Sequence, residues 1–184
     1  VVSPAQKTPP QVSANGRNLT VHFFDTLRPN TTYTVDFADA IKDLNEGNIL
    51  DGFALDFSTG DTIDTLRISG MVLQAENLEP AQGMLVGVYS DFTDTTLTTL
   101  PLDRIARTNQ LGQFTIRNLP AGQYHIFAIN DINRDYHWDR SEDIAFYDGL
   151  ISPSTEPIEV VDTLYSSTGE DSLVHLSLIH ISEP

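Results

Sequence analysis

Apolar and polar residues alternate with a period of two along much of the chain. Leu19, Val21 and Phe23 fall on one side, with Thr20 and His22 on the other. Tyr33, Val35 and Phe37 alternate with Thr32, Thr34 and Asp36, and Phe53, Leu55 and Phe57 with Ala54 and Asp56. Successive side chains of a strand leave opposite faces, so each stretch predicts a strand with one face on a core and one in water. No stretch keeps the i, i+3, i+4, i+7 apolar stripe of a helix. Turn chemistry separates the strands at Asn15-Gly16, Pro29-Asn30, Asn45-Glu46-Gly47-Asn48 and Thr59-Gly60-Asp61.

A second set of strands follows. Leu66 to Leu73 carries Gly70 inside it, where a bulge or a close backbone approach is expected. Met84 to Tyr89 is almost continuously apolar and reads as a central strand. Arg104 to Arg107, Gln113 to Arg117 and Gln123 to Ile129 are short strands, with turns at Asn109-Gln110-Leu111-Gly112 and Leu119-Pro120-Ala121-Gly122. The pattern predicts an all-β chain of two tandem β-sandwich modules. The first covers 1–60 and the second 67–150, joined by a polar linker at 61–66. From Ser152 onward the alternation fades, with Pro153, Pro157 and Ser166-Ser167-Thr168-Gly169, so 151–175 reads as a linker or the start of a further domain.

Composition narrows the function classes. The chain has 184 residues, 26 Asp and Glu against 10 Lys and Arg, and a formal net charge of -16. Nucleic-acid binding needs clustered cations to neutralise phosphates, and these few scattered bases do not supply them. There is no Cys, which excludes disulfides, thiolate metal sites and cysteine nucleophiles. No apolar run is long enough for a membrane-spanning helix, so membrane attachment is expected only through a lipid anchor outside this chain.

Two stretches resemble known families. Leu27-Arg28-Pro29-Asn30-Thr31-Thr32-Tyr33, then Ile41-Lys42-Asp43, Gly47-Asn48 and Phe57-Ser58-Thr59-Gly60, resemble the bacterial Ig-like domain named after the S-layer protein SbsA. The family's opening strands are missing from the match. Because an Ig-type sandwich takes about seven strands over roughly 100 residues, the module reads as N-terminally truncated. Arg107-Thr108-Asn109-Gln110-Leu111-Gly112-Gln113-Phe114-Thr115-Ile116 and Leu119-Pro120-Ala121-Gly122-Gln123-Tyr124 are similar to the carboxypeptidase-regulatory-like or Cna-B-like sandwich, a small transthyretin-like module. There Gly122 is expected to allow the tight turn and Tyr124 to cap the core. The two in this order resemble Bacteroidetes cell-envelope lipoproteins, which implies export to the periplasm or cell surface. The last nine residues, 176–184, resemble the translated read-through of a sequencing adaptor and are set apart as a non-native scar.

One constellation points to chemistry. Between Asp131 and Glu142, side-chain oxygens fall at loop positions one, three, five, nine and twelve: Asp131, Asn133, Asp135, Asp139 and Glu142. His137, at position seven, offers a main-chain carbonyl. This is the ligand spacing of a calcium loop, in which a hard cation gathers six to eight oxygens. Tyr136 stands where an EF-hand requires Gly, and the flanks are strands, so an EF-hand is rejected and a calcium-stapled loop between strands is the candidate. The alternative is an acidic surface loop held by Asx turns, with Arg134 and Arg140 as counter-charges.

No Walker A loop, G-x-S-x-G, H-E-x-x-H or G-x-G-x-x-G occurs. The expectation is a non-enzymatic structural or interaction segment of an exported envelope protein, a spacer or scaffold with envelope proteins or glycans as partners. The alternative is a carbohydrate-binding or adhesive module, calcium-stabilised, with Tyr89, Tyr136, Trp138 and Tyr147 as an aromatic platform.

Overall fold

Strands dominate, as the alternation predicts, and they build several small sheets. The structure, a computed structural model, describes residues 1–16, 18–37, 40–43, 46–48, 50, 53–93, 95–155 and 178–180. In the N-terminal part, β1 (Val2–Ser3), β4 (Thr32–Asp36) and β5 (Ala54–Ser58) form an antiparallel sheet in the order β1-β4-β5. A separate ribbon pairs β2 (Gln11–Asn15) with β3 (Asn18–His22) across the Asn15-Gly16 turn, where Gly16 takes φ 61. Tyr33, Val35 and Val2 make a small core with Val21, Phe23 and Phe57 packed against it. The Tyr33 and Phe57 rings stack 5.4 Å apart, opposite one another in the β4–β5 register.

The following part is a sandwich. One sheet is β12-β6-β9, from β6 (Leu66–Leu73), β9 (Gln113–Leu119) and β12 (Leu178–His180). The other runs β11-β10-β7-β8, from β7 (Leu85–Tyr89), β8 (Arg104–Arg107), β10 (His125–Ile129) and β11 (Ile144–Phe146). Ile68, Val72, Phe114, Ile116 and Leu119 of the first sheet meet Val86, Val88, Ile126 and Ala128 of the second. Each such side chain fully removed from water contributes roughly 1.5–3 kcal/mol. The expected central strand is β7, buried at all five positions and paired on both edges.

The second sheet buries its outer face as well. Leu85, Tyr89, Ile105, Phe127 and Ile129 are covered by Leu97 and Leu102, with Phe92, Tyr136 and Trp138 at the margin. Leu97 lies on the one-turn helix α1 (Thr96–Thr99), which the alternation did not predict. The cover lies close because β7 carries Gly87: a Cβ there would stand 2.7 Å from the Leu102 Cβ and 2.9 Å from the Arg104 carbonyl. Gly87 is thus a point of close backbone approach in this sheet. Gly70 pairs in register with Phe114, and the irregularity of that strand pair lies between Leu66 and Ile68. Gly122 needs no special backbone conformation; the left-handed residue of that turn region is Asn118, at φ 60. Tyr124 does cap the core, and its hydroxyl donates to the Pro120 carbonyl at 3.0 Å.

Stretches set outside the two modules carry sandwich contacts. Ile151 bridges Tyr124 and Ser154 bridges Arg67. Leu178–His180, within the stretch set apart as a scar, pair with β6 as an edge strand, Leu178 opposite Leu73. The rest of 156–184 lies outside the described residues.

Candidate functional site

Two places gather polar side chains in a way the fold itself does not require: the junction between the modules, and the loop between β10 and β11.

At the junction, the face of β4 that alternation assigned to water is covered. Thr32 is 1 % exposed and Thr34 7 %. The second module covers them with polar groups. Arg104 of β8, 5 % exposed, donates through Nη1 to the Thr32 carbonyl. Asn118 of β9 donates to the Thr34 hydroxyl at 2.6 Å, and the Ile105 N–H donates to the Ser3 hydroxyl at 3.1 Å. Asp64, between β5 and β6, accepts from the Thr32 hydroxyl at 3.0 Å and returns its own N–H to that hydroxyl at 2.9 Å. At the rim, Arg28 pairs with Asp103 at 2.7 Å. Burial pulls the Arg104 guanidinium below its usual pKa, while Asp103 and Asp64 oppose the shift. An arginine so high in its range stays charged, and the buried carbonyl gives that charge a partner.

The loop brings the predicted oxygen donors into one neighbourhood. Asp131, directly after β10, has a fully buried side chain. Its Oδ1 accepts the Asp135 N–H at 3.2 Å, while Oδ2 has no hydrogen bond and faces Arg107 Nη2 at 3.7 Å. Burial raises the Asp131 pKa, and Arg107 opposes the rise. Asn133 accepts the same Asp135 N–H at 3.2 Å. Its amide nitrogen sits between two carboxylates, 3.0 Å from Asp135 Oδ2 and 2.9 Å from Asp139 Oδ2. Asp135 Oδ1 accepts the His137 N–H at 2.9 Å and lies 3.5 Å from the imidazole Nδ1. Glu142, also buried, accepts the Ile132 N–H at 2.9 Å and the Asp139 N–H at 3.2 Å, closing the loop from its far end. Arg134 and Tyr136 take positive φ, 63 and 65, so the chain turns sharply where an EF-hand would use Gly. Among the described residues, no group of three or more His, Asp and Glu side chains stands ready to hold a metal ion.

The same loop is pinned to the second core. The Tyr136 carbonyl accepts the Leu102 N–H at 3.0 Å, the Trp138 N–H donates to Leu97 at 3.1 Å, and the Trp138 indole N–H donates to the Glu142 carbonyl at 3.0 Å. The four aromatics proposed as one platform do not share a face. Tyr89 is buried, with its hydroxyl on the Leu100 carbonyl at 2.7 Å. Tyr147 packs against the inter-sheet core, while Tyr136 and Trp138 flank the outer one. Strand alternation does not say which side of a sheet a loop folds over.

The sequence reading missed Arg104, Asn118, Ser3 and Arg107. The one available signal was Arg at both ends of the short apolar strand Arg104–Arg107.

Residues 1–59 match the bacterial Ig-like domain family. No curated protein and no solved structure matches the chain. Ig-like domains of this kind occur in bacterial surface proteins. Among the described residues, no helix is long and apolar enough to cross a membrane.

Proposed function

We propose that this chain is a structural or interaction segment of an exported bacterial cell-envelope protein, in which two β-modules act as a spacer or binding scaffold and perform no catalysis. The observation that carries this reading is the buried polar clamp at the junction. Independent modules on a flexible linker would leave Thr32, Thr34 and Arg104 in water. Here β4 is roofed by β8 and β9, with the Arg104, Asn118 and Ser3 contacts at its centre. A buried cation and its partner fix an orientation, because displacing either leaves an unsatisfied polar group. A spacer needs that property, since it must hold its ends at a fixed separation. The Ig-like match to residues 1–59 supports a surface setting.

The absence of Cys makes the test direct. Spin labels at Thr20→Cys and Gln82→Cys, both exposed, place one probe on each module. A narrow distance distribution by pulsed electron resonance is expected. A broad one, typical of a flexible tether, overturns the spacer reading.

A further inference from the structure

We propose that β5 is a docking edge that takes up an extended strand of a partner protein, apolar on one face and basic on the other. β5 ends its sheet: β4 pairs with it on one side, and among the described residues no strand pairs on the other. The ladder register identifies the main-chain groups left over. The Phe37 N–H donates to the Phe53 carbonyl at 3.0 Å, and the Thr59 N–H to the Thr31 carbonyl at 3.1 Å. Antiparallel bonding alternates along a strand, so Leu55 and Phe57 direct their N–H and C=O groups at β4. Those of Ala54, Asp56 and Ser58 point the other way, out of the open edge. Such an edge is a template for another strand unless Pro, Lys, a bulge or a cover blunts it. β5 reads Ala-Leu-Asp-Phe-Ser and pairs with β4 without a register shift, so neither Pro, Lys nor a bulge protects it.

The side chains specify the occupant. Leu55 stands opposite buried Val35 in the ladder yet is 50 % exposed, and Phe53, two residues before it, is 41 % exposed. Asp56 leaves the opposite face and is exposed as well. An incoming strand sends alternate side chains to these two faces. Apolar ones cover Leu55, and basic ones meet Asp56 across the new ladder. Charge favours this partner over a second copy. Within residues 36–64 acids outnumber the single base, Lys42, by eight to one, so two such edges repel each other. Main-chain pairing gives the affinity of a strand added in this way, and the alternate side chains give its specificity. The edge shares no residue with the junction clamp, so this proposal and the spacer reading can each fail without the other.

The test uses the full chain and a capped, fluorescein-labelled peptide of seven residues alternating lysine and valine, followed by fluorescence anisotropy. Saturable binding of one peptide per chain is expected. The same peptide N-methylated at every lysine lacks the N–H groups that face β5 in an antiparallel pair, and should bind at least about tenfold more weakly. A peptide alternating glutamate and valine should weaken by a similar factor. Asp56→Pro removes an N–H that β4 does not use, a change an edge strand tolerates, and should abolish binding with the fold kept, checked by circular dichroism. Leu55→Thr, at an exposed side chain, should weaken binding by about threefold or more, and decides the matter where the proline variant does not fold. Four outcomes overturn the proposal: no binding at about 1 mM peptide, equal binding of either altered peptide, binding that Leu55→Thr and a folded Asp56→Pro both retain, or a chain that sediments as a dimer which the peptide dissociates, since a second copy then holds the edge.

Discussion

Replacing Arg104 by Met asks whether the junction is a working element of the protein. The change keeps an unbranched apolar stem of similar reach and removes only the guanidinium. Arg104 is 5 % exposed and its acceptor residue Thr32 is 1 % exposed, so water cannot replace the lost donor. A hydrogen bond from a charged donor contributes about 1.5–3 kcal/mol, and an abandoned buried carbonyl costs a similar amount, so the two are one effect seen from either side. Asp103 and Asp64, which help hold the charge, lose a favourable neighbour. The expected loss is about 2–3 kcal/mol, or roughly 4–12 °C in Tm for a chain of this size. The rim pair Arg28–Asp103, with Arg28 57 % exposed, should cost less than about 1 kcal/mol when Arg28 is removed. Urea unfolding followed by two probes separates local from shared effects. Trp138 is the single tryptophan and lies in the second module, while far-ultraviolet circular dichroism sees both. The two curves should coincide in the parent and separate in Arg104→Met. Coincident curves with a shift below about 0.5 kcal/mol would refute the argument that this contact couples the modules.

Gly112→Ala should destabilise by more than about 2 kcal/mol in the same urea assay. The residue has φ 71, and an added Cβ would stand 2.5 Å from the Val72 carbonyl, where β6 has no room to retreat. Tyr89→Phe should cost about 1 kcal/mol at neutral pH through the lost bond to the Leu100 carbonyl, read as a change in urea midpoint. The same variant has a pH signature. Burial, reinforced by Asp103, pushes the Tyr89 pKa far above 10. The unfolded chain therefore releases this proton near pH 10 while the folded one keeps it. Stability is whole below that pH and falls as pH rises beyond it, by at most about 1.4 kcal/mol per unit for this group. Tyr89→Phe should flatten the alkaline decline between pH 10 and 11.5, and an unchanged slope would place the cause elsewhere.

Much of the strand pattern was legible because a strand's faces are written in alternating residues. Tyr33, Val35 and Phe57 face a core as their spacing implies, and β7 is central because its run is continuously apolar. Alternation misjudged Thr32 and Thr34, since it distinguishes apolar from polar and not buried from exposed. A polar face can be covered when the covering surface brings matching donors, and Arg104 and Asn118 lie more than seventy residues away. It also misjudged Leu55, which pairs with Val35 yet is half exposed. Gly70 and Gly87 look alike as isolated glycines in strands. Only the segment folded over β7 shows that a side chain at Gly87 would collide, with Leu102 and the Arg104 carbonyl.

The sequence by itself determined that the chain is β-built, that residues 1–59 match an Ig-like family and that oxygen donors recur along 131–142 at regular intervals. These are properties of local order, set by side-chain period, turn residues and spacing. Tertiary structure alone decided which polar face becomes an interface, which glycines leave no room for a side chain and which acidic oxygen is left buried without a donor. Each of those depends on what a distant segment places against the site, and burial and desolvation exist only once that segment has arrived.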